Sequence, residues 1–244
     1  MSIIAHASLD ENRQIRNGKA GDQTGKEVCT REWYSKPWAY VLRPKDPKIA
    51  EKAVQLAVSL ANSNKVGYDQ YQRNTLYNEL RQHNFNVDAI APCETDCSAF
   101  VTACYIGAGV SQLYYTSNAP TTSTMVKTFL NTGCFEVLSD AKYIKVDMFL
   151  KRGDILVKPG AHAVMVVQVS NPYNEPTLLV KKGSKGNVVK WVQWHLIRKG
   201  YLGWNECDGA AGPKTHNAIL TFQKANGLVV DGLVGGKTRA ALKQ

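Results

Sequence analysis

Cys97 and His162 are the residues whose types and settings could do covalent chemistry. Cys97 stands in Thr95-Asp96-Cys97-Ser98-Ala99-Phe100-Val101, where Asp96 can cap a helix that Gly107 and Gly109 would stop. At a helix start the free N–H groups and the positive dipole end favour a thiolate, the nucleophilic form of cysteine. His162 lies early in an apolar run, 161–169, which follows a second run, 154–158, across a Pro159-Gly160 turn. Two such runs split by a turn predict an antiparallel hairpin. A thiol on a helix N-terminus facing an imidazole on a sheet is suited to amide hydrolysis. The histidine takes the thiol proton and later returns it to the leaving amine.

Other elements must hold this pair in place. Asp46 and Pro47 open a helix whose apolar positions Ala50, Ala53, Val54, Ala57 and Leu60 recur at helical spacing. Residues 70–83 predict a more polar helix after a turn at Gly67-Tyr68-Asp69, and 125–131 a short one. Residues 1–45 read as irregular, with Gly and Asp/Asn clusters in 16–25 and then Trp33, Tyr34, Trp38 and Tyr40. Residues 171–186 read as a linker, with 178–180 as one last strand. Beyond it, Asp208-Gly-Ala-Ala-Gly-Pro-Lys-Thr recurs as Asp231-Gly-Leu-Val-Gly-Gly-Lys-Thr, each before a helical run. Such a repeat predicts a separate small module of three helices, its Gly and Asp residues acting as caps.

The 244 residues carry a net charge of +10, which predicts attraction to a polyanion. No helix-turn-helix, zinc-finger or aromatic-basic ribonucleoprotein signature directs that charge to nucleic acid. No apolar run is long enough for membrane insertion. The six cysteines form no compact disulfide framework, and Cys93 and Cys97 lack a second ligand pair. His6, His83, His162, His195 and His216 show no H-x-x-x-H spacing, so no metal and no cofactor are expected.

The segments Asp96-Cys97-Ser98-Ala99-Phe100-Val101, Gly153-Asp154-Ile155-Leu156 and His162-Ala163-Val164-Met165-Val166 match D-C-S-x-h-V, G-D-h-h and H-h-h-h-h in order. Residues 60–170 thereby resemble the NlpC/P60 and CHAP peptidase superfamily. The resemblance implies an α+β, papain-like domain with an antiparallel sheet over residues 1–172, with 1–45 as an extension. It implies Cys97 as nucleophile, His162 as general base, Asp154 as structural, and Tyr68, Asp96 and Ser98 at the substrate pocket. The family orients its histidine with a third polar residue from the next strand. Asn174 or Asn171 lies at that distance, and an N-terminal side chain such as His6, Asp22 or Gln23 is the other option.

The leading region, with Gly21-Asp22-Gln23-Thr24-Gly25, resembles that of endolysin-like amidohydrolases of phages and prophages. Residues 183–244 resemble the peptidoglycan-binding domain type 1 family through V-Q…G-Y, F-Q…G-L and the two D-G-x-x-G-x-x-T segments. Together these imply an endolysin-like peptidoglycan hydrolase that cuts an amide in the stem peptide or cross-bridge, with the bacterial wall as partner. N-acetylmuramoyl-L-alanine amidase activity, an inactive wall-binding protein and a zinc amidase are the alternatives. The N-terminus shows no signal peptide, which predicts synthesis in the bacterial cytoplasm and holin-type release.

Overall fold

Three strands emerge from the N-terminal 45 residues, where composition predicts loops. They are β1 (Ile3–Ala7), β2 (Val28–Glu32) and β3 (Tyr40–Pro44). β1 carries little alternation because four of its five residues are buried, on both faces, so the period-2 signal is missing. The glycine-rich stretch is the loop between β1 and β2. Asp22 anchors it by accepting N–H groups from Thr24 at 2.8 Å, Gly25 at 2.6 Å, Glu27 at 2.9 Å and Val28 at 3.2 Å. The computed structural model describes residues 1–244 and divides them into two compact units, Met1–Val169 and Ser170–Gln244.

The first unit continues with α1 (Pro47–Ala61), β4 (Val66–Tyr68), α2 (Thr75–Gln82), β5 (Cys93–Thr95) and α3 (Cys97–Gly107). Then come α4 (Met125–Asn131), β6 (Phe135–Leu138), α5 (Ala141–Ile144), β7 (Ile155–Lys158) and β8 (His162–Gln168). The Asp46 side chain caps α1 through Lys48 N–H at 2.7 Å. α2 starts later than the expected 70–83 because Asp69 Oδ1 accepts the N–H groups of Tyr71 and Gln72, holding that stretch in a turn.

Six strands form one antiparallel sheet in the order β2-β1-β8-β7-β3-β6. The β7–β8 hairpin lies at its centre, with Lys158 opposite His162. α3 packs on α1 and on β8, and ten of its residues, Cys97 to Ile106, are buried. Ala163, Met165 and Val167 join that helical layer, whereas Val164 and Val166 pack on the other face with Ile4, Trp38, Val41 and Leu156. Burial on both faces is why β8 reads as a continuous apolar run. At the entry to β7, Arg43 Nε and Nη2 hold the fully buried Asp154 carboxylate at 2.8 and 2.6 Å, so Asp154 is structural. Removing one partner of such a pair costs about 3–5 kcal/mol.

The second unit contains α6 (Asn187–Arg198), α7 (Pro213–Ala225) and α8 (Gly236–Lys243). The repeated aspartates do not cap α7 and α8, whose N-cap residues are Gly212 and Gly235. Instead each repeat closes around a buried glutamine. Gln193 Nε2 donates to Asp208 Oδ1 at 2.7 Å and Thr215 Oγ1 at 3.0 Å, while its Oε1 accepts Gly209 N–H at 2.8 Å. Gln223 does the same with Asp231 at 2.9 Å, Thr238 at 3.4 Å and Gly232 N–H at 2.9 Å. Gly209 and Gly232 take φ of 81° and 70°, and a Cβ on Gly232 would lie 2.1 Å from the His216 ring. Residues 178–180 belong to this unit and form no strand, although Val180 bridges Val234.

The two-stranded parallel pair β4–β5 carries the chain into α3. Behind it lies a cluster of carboxyls in an otherwise basic protein. Glu27 accepts Tyr68 N–H at 3.1 Å, and Glu94 is buried with neither oxygen hydrogen bonded. Gly67 is required here because a Cβ would lie 2.9 Å from Glu94 Oε2 and 2.7 Å from Gly21 O. Burial, with Glu27 and Asp69 nearby, raises the Glu94 carboxyl from 4.5 to about 8. The folded chain therefore keeps a proton that the unfolded chain loses, and stability drains away as pH rises from about 4.5 to about 8. Glu94→Gln is expected to raise the Tm at pH 8 and to flatten its decline between about pH 5 and 8. Thermal denaturation followed by circular dichroism tests this; a variant whose Tm tracks the parent at every pH would show that Glu94 does not hold the proton.

Candidate active site

Asp96 sets the start of α3. Its Oδ1 accepts Ser98 N–H at 2.9 Å and Ala99 N–H at 2.7 Å, a side-chain cap on the first turn. The same carboxylate receives Arg73 Nε at 2.5 Å on Oδ2 and Nη2 at 3.2 Å on Oδ1. Arg73 also donates to Ser98 Oγ at 2.9 Å and to the carbonyls of Ala119 and Pro120. The hydrogen bonds of Asp96 and Ser98 thus go to the cap and to Arg73. Nothing in the sequence pattern marked Arg73, since its partners are distant along the chain.

The cap presents the Cys97 side chain to β8. The backbone N–H groups of Ala163, the residue after His162, and of Ser98 favour a negative charge on the sulfur. Cys97 is 5 % exposed, and burial pushes its thiol from 9.0 up to about 12, with the Asp96 charge adding to the rise. The two N–H groups and Arg73 pull the other way without reversing it. The expected depression by the helix dipole is therefore overturned in this closed state. Tyr68, on β4, is buried beside Cys97; its hydroxyl accepts Gln70 Nε2 at 3.1 Å and is kept protonated by burial and by Cys97.

His162 is 7 % exposed and lies between two rings. Trp38 stacks on it at 6.2 Å between centroids, and His6 meets it edge-on at 5.9 Å. Burial, then Lys36 and His6, lower the His162 imidazole to about 3; burial, Arg31 and Lys36 lower His6 to about 4. Both rings are neutral at neutral pH. The structure brings the thiol and the imidazole onto adjoining stretches of α3 and β8 without a direct hydrogen bond between them.

Among the side chains considered as third partner, His6 is the one against His162. It arrives from β1, the strand that flanks β8 on its far side, and its Nε2 lies 3.4 Å from Cys29 Sγ. Asp22 is spent on its loop and Gln23 on the carbonyls of Ala20 and Gly21. Asn171 lies in the second unit, donating to Trp191 O and accepting Tyr173 N–H, and Asn174 is exposed in the same unit. All six cysteines are free thiols, with Cys93 buried on β5. Trp38, Lys36 and Cys29 escaped sequence reasoning because each reaches the site through sheet pairing or a loop.

Residues 185–242 match the family model described as "Putative peptidoglycan binding domain". A "Probable N-acetylmuramoyl-L-alanine amidase" of Bacillus licheniformis is 31 % identical over 99 residues, 40 % of this chain and 28 % of that one. An uncharacterized protein of Kitasatospora aureofaciens is 36 % identical over 76 residues, 31 % of this chain and 64 % of that one. The chain thus spans less than two thirds of either relative. Among solved structures, the SleB N-terminal domain is 33 % identical over 29 % of this chain and 94 % of that one, with a TM-score of 0.28. A Clostridioides difficile peptidoglycan-binding protein is 27 % identical over 38 % and 72 %, with a TM-score of 0.25. The model described as "Endolysin-like domain" matches residues 4–173, most of the chain and the whole neighbourhood of Cys97 and His162, and the protein belongs to that family.

Proposed function

We propose that the first unit is a cysteine amidohydrolase acting on peptidoglycan and that the second unit retains the protein on the wall. The observation that carries this reading is that Cys97 opens α3, that His162 opens β8, and that this helix packs on this strand. The endolysin-like family and the peptidoglycan-binding match support the substrate class.

In the resting state both groups are neutral, so proton transfer accompanies attack. The sulfur turns toward the imidazole; catalytic hydrogen bonds are often unformed in unliganded sites. His162 takes the thiol proton as the sulfur adds to the amide carbon. The first-turn N–H of Cys97, which has no intrahelical acceptor, and the Tyr68 hydroxyl face the developing oxyanion. His162 then protonates the leaving amine, leaving a thioester on Cys97. Water, deprotonated by His162, attacks that thioester and releases the carboxylate and the thiol. His6 acts as a positioning residue that limits the ring plane of His162 through its edge-on contact.

The bond cut is assigned to the stem peptide or cross-bridge. The name carried by the Bacillus licheniformis relative favours a second reading, cleavage between N-acetylmuramic acid and L-alanine. Mass spectrometry of the released muropeptides separates the two: intact stem peptides freed from glycan mean amidase, and split stems or cross-bridges mean endopeptidase.

Cys97→Ala should lower muropeptide release by more than about 10³-fold while the protein still sediments with purified walls. Lysis by the variant at the parental rate would remove Cys97 from the nucleophile's role. His6→Ala should lower kcat by about 10- to 100-fold with KM little changed, the scale of a small misplacement of a catalytic group. An unchanged kcat would sever His6 from the site. The base works only when neutral, so the acid limb of kcat/KM should fall well below 6.5, and Lys36→Gln, which removes a charge that depresses His162, should move it upward. An acid limb at 6.5 in both proteins would contradict the environment described for His162.

A further inference from the structure

A groove of about 810 Å³ opens beside His6 and runs along β2, outside the chemistry described above. Arg13, Lys26 and Arg31 line it, together with Asp10 and Glu11. The two acids accept hydrogen bonds within their own loop and keep their charge. Asp10 Oδ1 accepts the N–H groups of Asn12 at 2.9 Å and Gln14 at 2.6 Å, and its other oxygen is buried. Glu11 accepts Lys19 N–H and the Asn12 amide, both at 3.2 Å. None of the three cations joins a salt bridge.

Arg31 is also fixed relative to the catalytic ring. Its guanidinium lies 5.0 Å over the Tyr34 ring, Tyr34 lies 5.9 Å from Trp38, and Trp38 stacks on His162. Lone surface cations are ordinarily solvated and carry no message. Three of them line one groove beside His6, form no salt bridge with its two carboxylates and outnumber them, which leaves a net positive field there. A guanidinium held in place by an aromatic face suits a planar carboxylate, which it can bind with two parallel N–H···O bonds.

We propose that this groove is a subsite for a free carboxylate on the peptide being cut, with Arg31 as its anchor and Arg13 and Lys26 supplying the attracting field. The protein then discriminates peptides that keep this carboxylate from those in which it is amidated. The placement of this subsite relative to the scissile bond rests on the hydrolase reading above; the carboxylate preference itself does not.

Two synthetic stem peptides, identical except for carboxylate or carboxamide at that position, test it on the full chain. kcat/KM is measured for the parent, Arg31→Gln and Lys52→Gln, a distant exposed lysine on α1. Binding of both peptides to Cys97→Ala is measured by calorimetry. The parent should prefer the carboxylate by about tenfold, the equivalent of about 1.4 kcal/mol, mainly through KM. Arg31→Gln should bring the ratio near one, and Lys52→Gln should leave it at the parental value. A parent that cuts both peptides equally, or an Arg31→Gln ratio equal to the parent's, overturns the subsite while the hydrolase stands. If the parent cuts neither peptide but Cys97→Ala binds the carboxylate form more tightly, the subsite stands and the hydrolase reading falls. An equal drop in Lys52→Gln would reduce the effect to net charge and overturn the role of Arg31.

Discussion

The carboxylate of Asp96 fixes where α3 begins and therefore where the sulfur of Cys97 stands. One oxygen closes the first turn through Ser98 and Ala99, and both hold Arg73, which in turn gathers Ser98 and the carbonyls of Ala119 and Pro120. A cap of this kind is worth about 0.5–2 kcal/mol to a helix. Its larger consequence is geometric. A helix sliding by one residue would rotate Cys97 by about 100° away from β8, given 3.6 residues per turn. The parallel pair β4–β5 delivers the chain to that cap, and the buried Glu94 behind it shows that the delivery is made at an electrostatic cost.

Two effects compete over the thiol, and their magnitudes decide which prevails. A helix N-terminus stabilises a neighbouring negative charge by about 0.3–1 kcal/mol at exposed positions. Burial to 5 % exposure against an already anionic Asp96 works against the thiolate and is the larger effect, moving the thiol from 9.0 to about 12. The imidazole is shifted in the complementary direction, to about 3, by burial and by Lys36. Both ions are thus disfavoured, and the pair stands as a thiol and a neutral imidazole. In the proposed hydrolysis, charge forms only as the sulfur adds to a carbonyl carbon.

The local parts of this arrangement were legible in the sequence. The Asp46-Pro47 start, the Asp96 cap and the hairpin across Pro159-Gly160 rest on contacts between near neighbours in the chain, and the structure forms each of them. β1 was not legible, because its short apolar stretch has neighbours on both faces and pairs with a strand from the far end of the unit. His6 was therefore one of several options until the sheet order placed it. The repeated Asp-Gly segments were visible as repeats, yet their role was hidden. The glutamines that organise them, Gln193 and Gln223, stand in the V-Q and F-Q motifs, but nothing local there shows that they bond to the Asp-Gly segments.

The N-terminal strands thereby tie architecture to chemistry. β1 closes the sheet against β8 and carries His6 to the His162 ring, while β2 carries Cys29 and Arg31. Arg31 and Lys36 depress His6, and Lys36 and His6 depress His162, so the cations and the imidazoles form one electrostatic group. An anion seated at Arg31 cancels part of that positive field. Such an anion lets the His6 imidazole rise toward its ordinary range. In the proposed subsite, the carboxylate that holds the peptide in register would also relieve the field on His6, the ring that meets His162 edge-on.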